Sequence, residues 1–154
     1  MHWLWLTAVV VVLDQITKQW ADRTLDYFQP VAVIDGFFNL TLLYNKGAAF
    51  SFLSDAGGWQ RWFFTVLSAV VSVVIFIWLK KLPADKKVLA AGLALILGGA
   101  IGNLIDRSIY GHVIDFIDVY YQNRHWPAFN IADSAITLGA ACLLFDMFTE
   151  KRDD

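Results

Sequence analysis

Four apolar stretches in this chain are long enough to cross a bilayer, and no other feature limits the fold as severely. They run from Trp3 to Trp20, Trp62 to Leu79, Val88 to about Ile105 and Ile131 to about Phe148, near the roughly 17 to 25 residues that a helix needs to span the hydrocarbon layer. Inside lipid every backbone N–H and C=O must find a partner within the protein, so such runs predict transmembrane helices. The middle two contain no charged residue. Composition agrees: 58% of residues are hydrophobic and 17% charged, against about 45–50% and about 25% in soluble domains. With 154 residues and no shift in composition along the chain, a single membrane-embedded domain over residues 1–154 is expected. The first stretch reads as a retained helix, since it has neither a basic leader nor a small-x-small cleavage site.

Orientation comes from the second connection. Lys80, Lys81, Lys86 and Lys87 crowd the short segment between the second and third stretches, and short basic loops stay in the cytoplasm. Both termini are then cytoplasmic as well. This arrangement puts all seven tryptophans at or near a boundary: Trp3, Trp5 and Trp78 inside, and Trp20, Trp59, Trp62 and Trp126 outside, where the amphipathic ring is best placed. Gly98 and Gly102 share a helix face and predict close helix packing. A net charge of -2 offers no basic surface for nucleic acid. The single cysteine, Cys142, excludes an intrachain disulfide and a cysteine zinc cluster. No cofactor is implied.

The first outer segment, from about Leu25 to Leu53, changes period. Val31 and Val33, then Phe38, Leu40, Leu42 and Tyr44, alternate around Asp35-Gly36, which is a hairpin signal. A small extracytoplasmic β-sheet between helices 1 and 2, lying on the membrane surface, is predicted.

Ionisable groups at membrane depth are costly and therefore begin as functional candidates. Asp14 and Lys18, Asn45 and Lys46, Asn103, Asp106 and Arg107, Asp115, Asn130 and Asp133 all fall on the outer side of this topology. Asp14 and Lys18 are spaced for an i, i+4 ion pair. Asp106 and Arg107 are adjacent and cannot face one another on a helix, so Arg107 is a candidate brace for a loop carboxylate. Asn130 is a good helix N-cap, and Asp133 sits well near the positive end of the fourth helix. Asp133 is also a carboxylate inside an apolar span, with Asp115 tethered nearby. Two such groups held together do not both ionise readily, which yields the acid and the base that peptide hydrolysis requires. Other chemistries remain open at this point: a metal on His112, Asp115 and Asp118, a nucleophilic Ser51 with Lys46, or an aspartate-dependent transporter or ion conductor.

Five blocks of sequence bear on the choice: Asp14-Gln15-Ile16-Thr17-Lys18, Asn45-Lys46-Gly47-Ala48-Ala49-Phe50-Ser51, the run from Gly99 to Arg107, Gly111-His112-Val113-Ile114-Asp115-Phe116, and Phe129-Asn130-Ile131-Ala132-Asp133. Together and in this order, they resemble the lipoprotein signal peptidases, or type II signal peptidases, over nearly the whole chain. The resemblance implies four transmembrane helices with an outer sheet that cradles substrate, and a catalytic pair matching Asp115 and Asp133. Residues matching Asn45, Gly47, Asn103, Asp106, Arg107 and Asn130 would bind substrate or brace the pair, with Asp14 and Lys18 as structural polar residues. It implies a prolipoprotein substrate already carrying a diacylglyceryl group on its cysteine, cut just before that cysteine in a bacterial cytoplasmic membrane.

Overall fold

A computed structural model describes residues 3–47 and 59–150 of the chain. The element order is α1 (Leu4–Thr24), β1 (Val31–Ile34), β2 (Phe38–Asn45), α2 (Trp59–Lys81), α3 (Lys87–Ile109), β3 (Val113–Tyr121), β4 (Arg124–His125) and α4 (Ile131–Glu150). Ala48, Ala49, Phe50 and Ser51 of the second sequence block, and with them the Ser51–Lys46 reading, lie outside the described residues, as does Leu53.

All four predicted helices form, each extending beyond at least one end of its apolar stretch. Among the described residues, α2, α3 and α4 contain segments long and apolar enough to cross a membrane: Arg61–Lys81, Lys87–Ile109 and Ile131–Thr149. The other three helices pack on α3, and the small residues of α3 are the reason. A methyl group on Gly98 would meet Val10 of α1, and one on Gly99 would meet the Ala132 carbonyl of α4. Gly92 and Gly139 lie against each other's carbonyl oxygens across α3 and α4. In lipid no hydrophobic force drives helices together, so backbones that approach this closely gain dispersion contacts that larger side chains would prevent. Further along α3, Ala90, Leu93, Ala94 and Leu97 bury Ile75 and Leu79 of α2 in an apolar cluster.

Helix α3 ends where Gly111 adopts a φ of 78°. The Tyr110 and Gly111 N–H groups donate to the carbonyls of Asp106 and Arg107 at 2.7 and 3.1 Å. This left-handed C-terminal turn is cheap only for glycine. It directs the chain straight into β3.

The sheet corrects the sequence-based expectation in its extent. The hairpin around Asp35-Gly36 is present, with β1 antiparallel to β2, but β2 also pairs with β3, and β3 with β4, in the order β1-β2-β3-β4. Half of the sheet therefore comes from the connection between α3 and α4. Its buried side also differs from the apolar alternation that marks β2 as a strand. Asn39 and Thr41 are buried, because both side chains donate to Asp118 on β3 at 3.2 Å, while Phe38 and Leu40 are only half-buried. A register shift between Leu40 and Leu43 re-aims the far end of β2, as a bulge does.

Candidate active site

Asn130 just before α4 makes the local structure that presents Asp133. Its Oδ1 accepts the Asp133 N–H at 2.9 Å, and the Asp133 carboxylate accepts the Asn130 N–H at 3.3 Å. This reciprocal capping satisfies two donors that the first turn leaves open. A third is taken by a different helix, since the Ala132 N–H donates to Asp14 Oδ1 of α1 at 2.9 Å. The helix that carries Asp133 is thus capped partly from α1.

Asp115 is set by α3 and the sheet. Asp106 Oδ2 accepts the Ile114 N–H at 3.1 Å, anchoring β3 one residue before Asp115. Pairing of Asn45 with Val113 and Leu43 with Asp115 puts Asn45 beside the carboxylate. Asn45 Nδ2 donates to Asp115 Oδ2 at 3.1 Å, while its Oδ1 accepts the Gly47 N–H at 2.8 Å. Gly47 has a φ of 100°, which a side chain would strain. Asn130 Nδ2 holds the other Asp115 oxygen at 2.8 Å and also donates to the Ile114 carbonyl and to Asn103 Oδ1.

Behind these groups lies a sealed ionic cluster. Lys18 is 0% exposed, and its ammonium reaches Asp14 at 2.8 Å, Asp106 at 3.0 Å and Asn103 Oδ1 at 2.9 Å. The expected Asp14–Lys18 pair forms, but as part of a buried unit joining α1 to α3. Removing one partner from such a unit typically costs about 3–5 kcal/mol, because a buried charge is left uncompensated. Gln15 completes it by donating to Asp106 Oδ1 at 2.9 Å and to the Gly102 carbonyl at 3.2 Å. Gly102 is small for this purpose as well as for packing, since an added methyl would lie 2.5 Å from the Asp14 carboxylate.

Asn103 links the cluster to the pair, donating from Nδ2 to Asp133 Oδ1 at 2.8 Å. Asp115, 3% exposed, is the more enclosed of the two carboxylates. Burial first, and then the charge of Asp133, push its carboxyl from the ordinary 3.8 up to about 7. One member of the pair is thus poised to hold a proton near neutral pH.

Among the described residues Arg107 makes no ion pair with a loop carboxylate, so the expected brace is not seen there. Its guanidinium lies 5.7 Å over the Phe64 ring, and among the described residues its Nε is buried without a hydrogen bond. His112, Asp115 and Asp118 do not converge. Residues three apart on a strand point to opposite faces, and Asp118 is held instead by Asn39, Thr41 and the His125 Nδ1 at 2.8 Å, while His112 packs on Tyr44 with ring centroids 4.4 Å apart. Sequence reasoning passed over Gln15, Phe64 and His125. Gln15 stands next to Asp14 inside a sequence block, which was the available signal.

Apolar helix surfaces around an interior in which one asparagine bridges two carboxylates give the class: a membrane protein with a paired-carboxylate site. Residues 6–149 match the model of the family described as Signal peptidase (SPase) II. Curated relatives named lipoprotein signal peptidase include one from Pseudomonas putida, 55% identical over 99% of this chain and 90% of its own length. Another, from Acinetobacter baumannii, is 60% identical over 95% of this chain and 82% of its own. Two solved bacterial membrane enzymes have the same fold. One, at 28% identity, has a TM-score of 0.87 over 99% of this chain and 91% of that one; the other, at 30%, has a TM-score of 0.82 over 95% and 92%. The chain belongs to the signal peptidase II family, bacterial inner-membrane peptidases that remove signal peptides from prolipoproteins.

Proposed function

We propose that Asp115 and Asp133 are the catalytic pair of a single membrane-embedded domain that cuts diacylglyceryl-modified prolipoproteins just before the lipidated cysteine. The observation that carries this reading is the shared ligand: Asn130 holds one oxygen of Asp115 through its side chain and one of Asp133 through its backbone N–H. Asp133 is the base. It takes a proton from water as the water oxygen attacks the scissile carbonyl carbon, and Asp115 gives its proton to the carbonyl oxygen. The resulting tetrahedral diol collapses when a hydroxyl proton returns to the pair and the amide nitrogen leaves with the proton Asp133 had taken. Arg107, whose buried Nε has no hydrogen-bond partner among the described residues, is assigned to the substrate side of the pair, and Asn45, Gly47, Asn103, Asp106 and Asn130 to its support.

We assign α1 as a fourth span. Between Trp3 and Trp20 its exposed residues are Trp5, Ala8, Val9, Val12, Leu13, Ile16 and Trp20, while Asp14 and Lys18 are enclosed, so the face offered to lipid is apolar. The termini are assigned to the cytoplasm and the pair to the extracytoplasmic surface. A lipid-anchored substrate presents its scissile bond at that depth.

The test uses purified enzyme in detergent with a lipidated prolipoprotein peptide. Asp115→Asn and Asp133→Asn are each expected to fold and to lose cleavage by several orders of magnitude, with strongly non-additive losses. The native pH profile is expected to be bell-shaped, with both limbs belonging to the pair, and a chelator to have no effect. Near-native cleavage by either variant overturns the assignment.

A further inference from the structure

An ammonium has three donors and no acceptor, and all three Lys18 donors are engaged, by Asp14, Asp106 and Asn103. The Asn103 carbonyl oxygen must therefore face Lys18, which leaves only its NH2 to face Asp133. The same logic orients the neighbouring amides. Asn130 Oδ1 is occupied by the Asp133 N–H and Asn45 Oδ1 by the Gly47 N–H, so each of these side chains can offer Asp115 only donors. All four carboxylate oxygens of the pair accept a hydrogen bond from outside. Where the two act as a catalytic pair, a proton held by either is confined to the lone pairs these donors leave open.

We propose that Lys18 is a positioning residue of the peptidase, fixing through Asn103 the hydrogen-bond polarity that keeps Asp133 an acceptor. This goes beyond a structural ion pair and rests on the reading of Asp115 and Asp133 as catalytic. Two of the amide orientations are fixed by backbone N–H groups, which do not depend on distant side chains. The one on Asp133 is fixed chiefly by Lys18 at 2.9 Å, because the other donor to Asn103 Oδ1, Asn130 Nδ2 at 3.3 Å, has two hydrogens for the nearer Asp115 and Ile114 oxygens. The charged groups gathered around the pair are Lys18 and Asp14 from α1 and Asp106 and Arg107 from α3, with Asp115 on β3 and Asp133 on α4. Without the ammonium, the Asn103 amide can turn its carbonyl toward Asp133, an arrangement that requires Asp133 to hold a proton. The loss of positive charge acts in the same direction.

The experiment measures cleavage of the lipidated peptide against pH, together with thermal midpoints in detergent, for native enzyme, Lys18→Met and Asp14→Asn. Both substitutions disturb the buried cluster and are expected to lower the midpoint. Lys18→Met is expected to reduce kcat at neutral pH and to move the pH profile upward by roughly one unit, the size expected for one charge acting at short range. Asp14→Asn, which keeps the ammonium on Asn103, is expected to leave the profile in place or move it downward. The double variant Lys18→Met/Asp14→Asn strands no carboxylate partner of Lys18 at position 14. It is expected to keep the upward direction and serves where the single variant does not accumulate. A Lys18→Met profile that does not rise, or an equal rise in Asp14→Asn, overturns the proposal and leaves a purely structural pair. Retained cleavage in Asp115→Asn overturns instead the catalytic reading on which it rests.

Discussion

Asp115 is a carboxyl kept where ionisation is expensive, so its cost to folding depends on pH. Its folded pKa, about 7, lies above the ordinary 3.8. The folded state therefore binds the proton more tightly than the unfolded chain does. Its contribution to stability is full below about pH 4 and is lost as pH rises through 7, a change of at most about 4 kcal/mol. Asp115→Asn removes that loss. It also sets an NH2 against an amide donor of Asn45 or Asn130, costing about 1–3 kcal/mol at every pH. The expected outcome is a thermal midpoint, relative to native enzyme, that is higher at pH 8 than at pH 5; a constant difference would contradict the raised carboxyl. Arg107 gives a second prediction at this scale. Arg107→Lys keeps the charge but loses the planar face over Phe64 and the fixed donor fork, so kcat is expected to fall at least tenfold with little change in folded yield. A fully active Lys variant would leave Arg107 as an interfacial anchor.

Among the elements, α3 carries the most constraint, because one face of it must be both smooth and polar. Gly98 and Gly102 admit α1, and Gly102 also admits the Asp14 carboxylate that caps α4. Gly102→Ala is expected to lower stability by roughly 2 kcal/mol or more, as overpacking does when backbone and a buried charge must shift, and to reduce activity by displacing the α4 cap. Gly36→Ala provides the contrast. Nothing lies within 4 Å of the added methyl, and only the strain of a φ of 80° is incurred, roughly 1 kcal/mol. Thermal midpoints and cleavage rates of the two variants separate packing at the site from a local turn.

The whole molecule has a polar interior at one level and apolar surfaces around it. Asp14, Lys18, Asp106 and Asn130 are fully enclosed, while Trp62, Val66, Leu138, Phe145 and Phe148 lie exposed on the helices. Such a surface is stable only against lipid. If the lysine-rich connection is cytoplasmic, a reagent that cannot cross the membrane is expected to label a cysteine placed at position 35 in intact spheroplasts, and to miss one at position 84. Labelling at 84 from outside would invert the assigned orientation.

The four helices were legible in the sequence because spanning length and backbone satisfaction in lipid are properties of each segment alone. So were the β1–β2 hairpin, written in its turn residues, and the polar set, which stands out wherever charge interrupts an apolar run. The family resemblance added the roles. Tertiary structure decided what local pattern cannot encode. The α3–α4 connection completes the sheet, β2 buries Asn39 and Thr41 because Asp118 is waiting on another strand, and Asp14 caps a helix 118 positions away. The direction of the Asn103 amide was likewise undetermined until Lys18 was placed against its oxygen. Periodicity reports which face of an element is apolar; it says nothing about which polar groups from distant segments will meet, and at this site those meetings set which way the hydrogen bonds around Asp115 and Asp133 run.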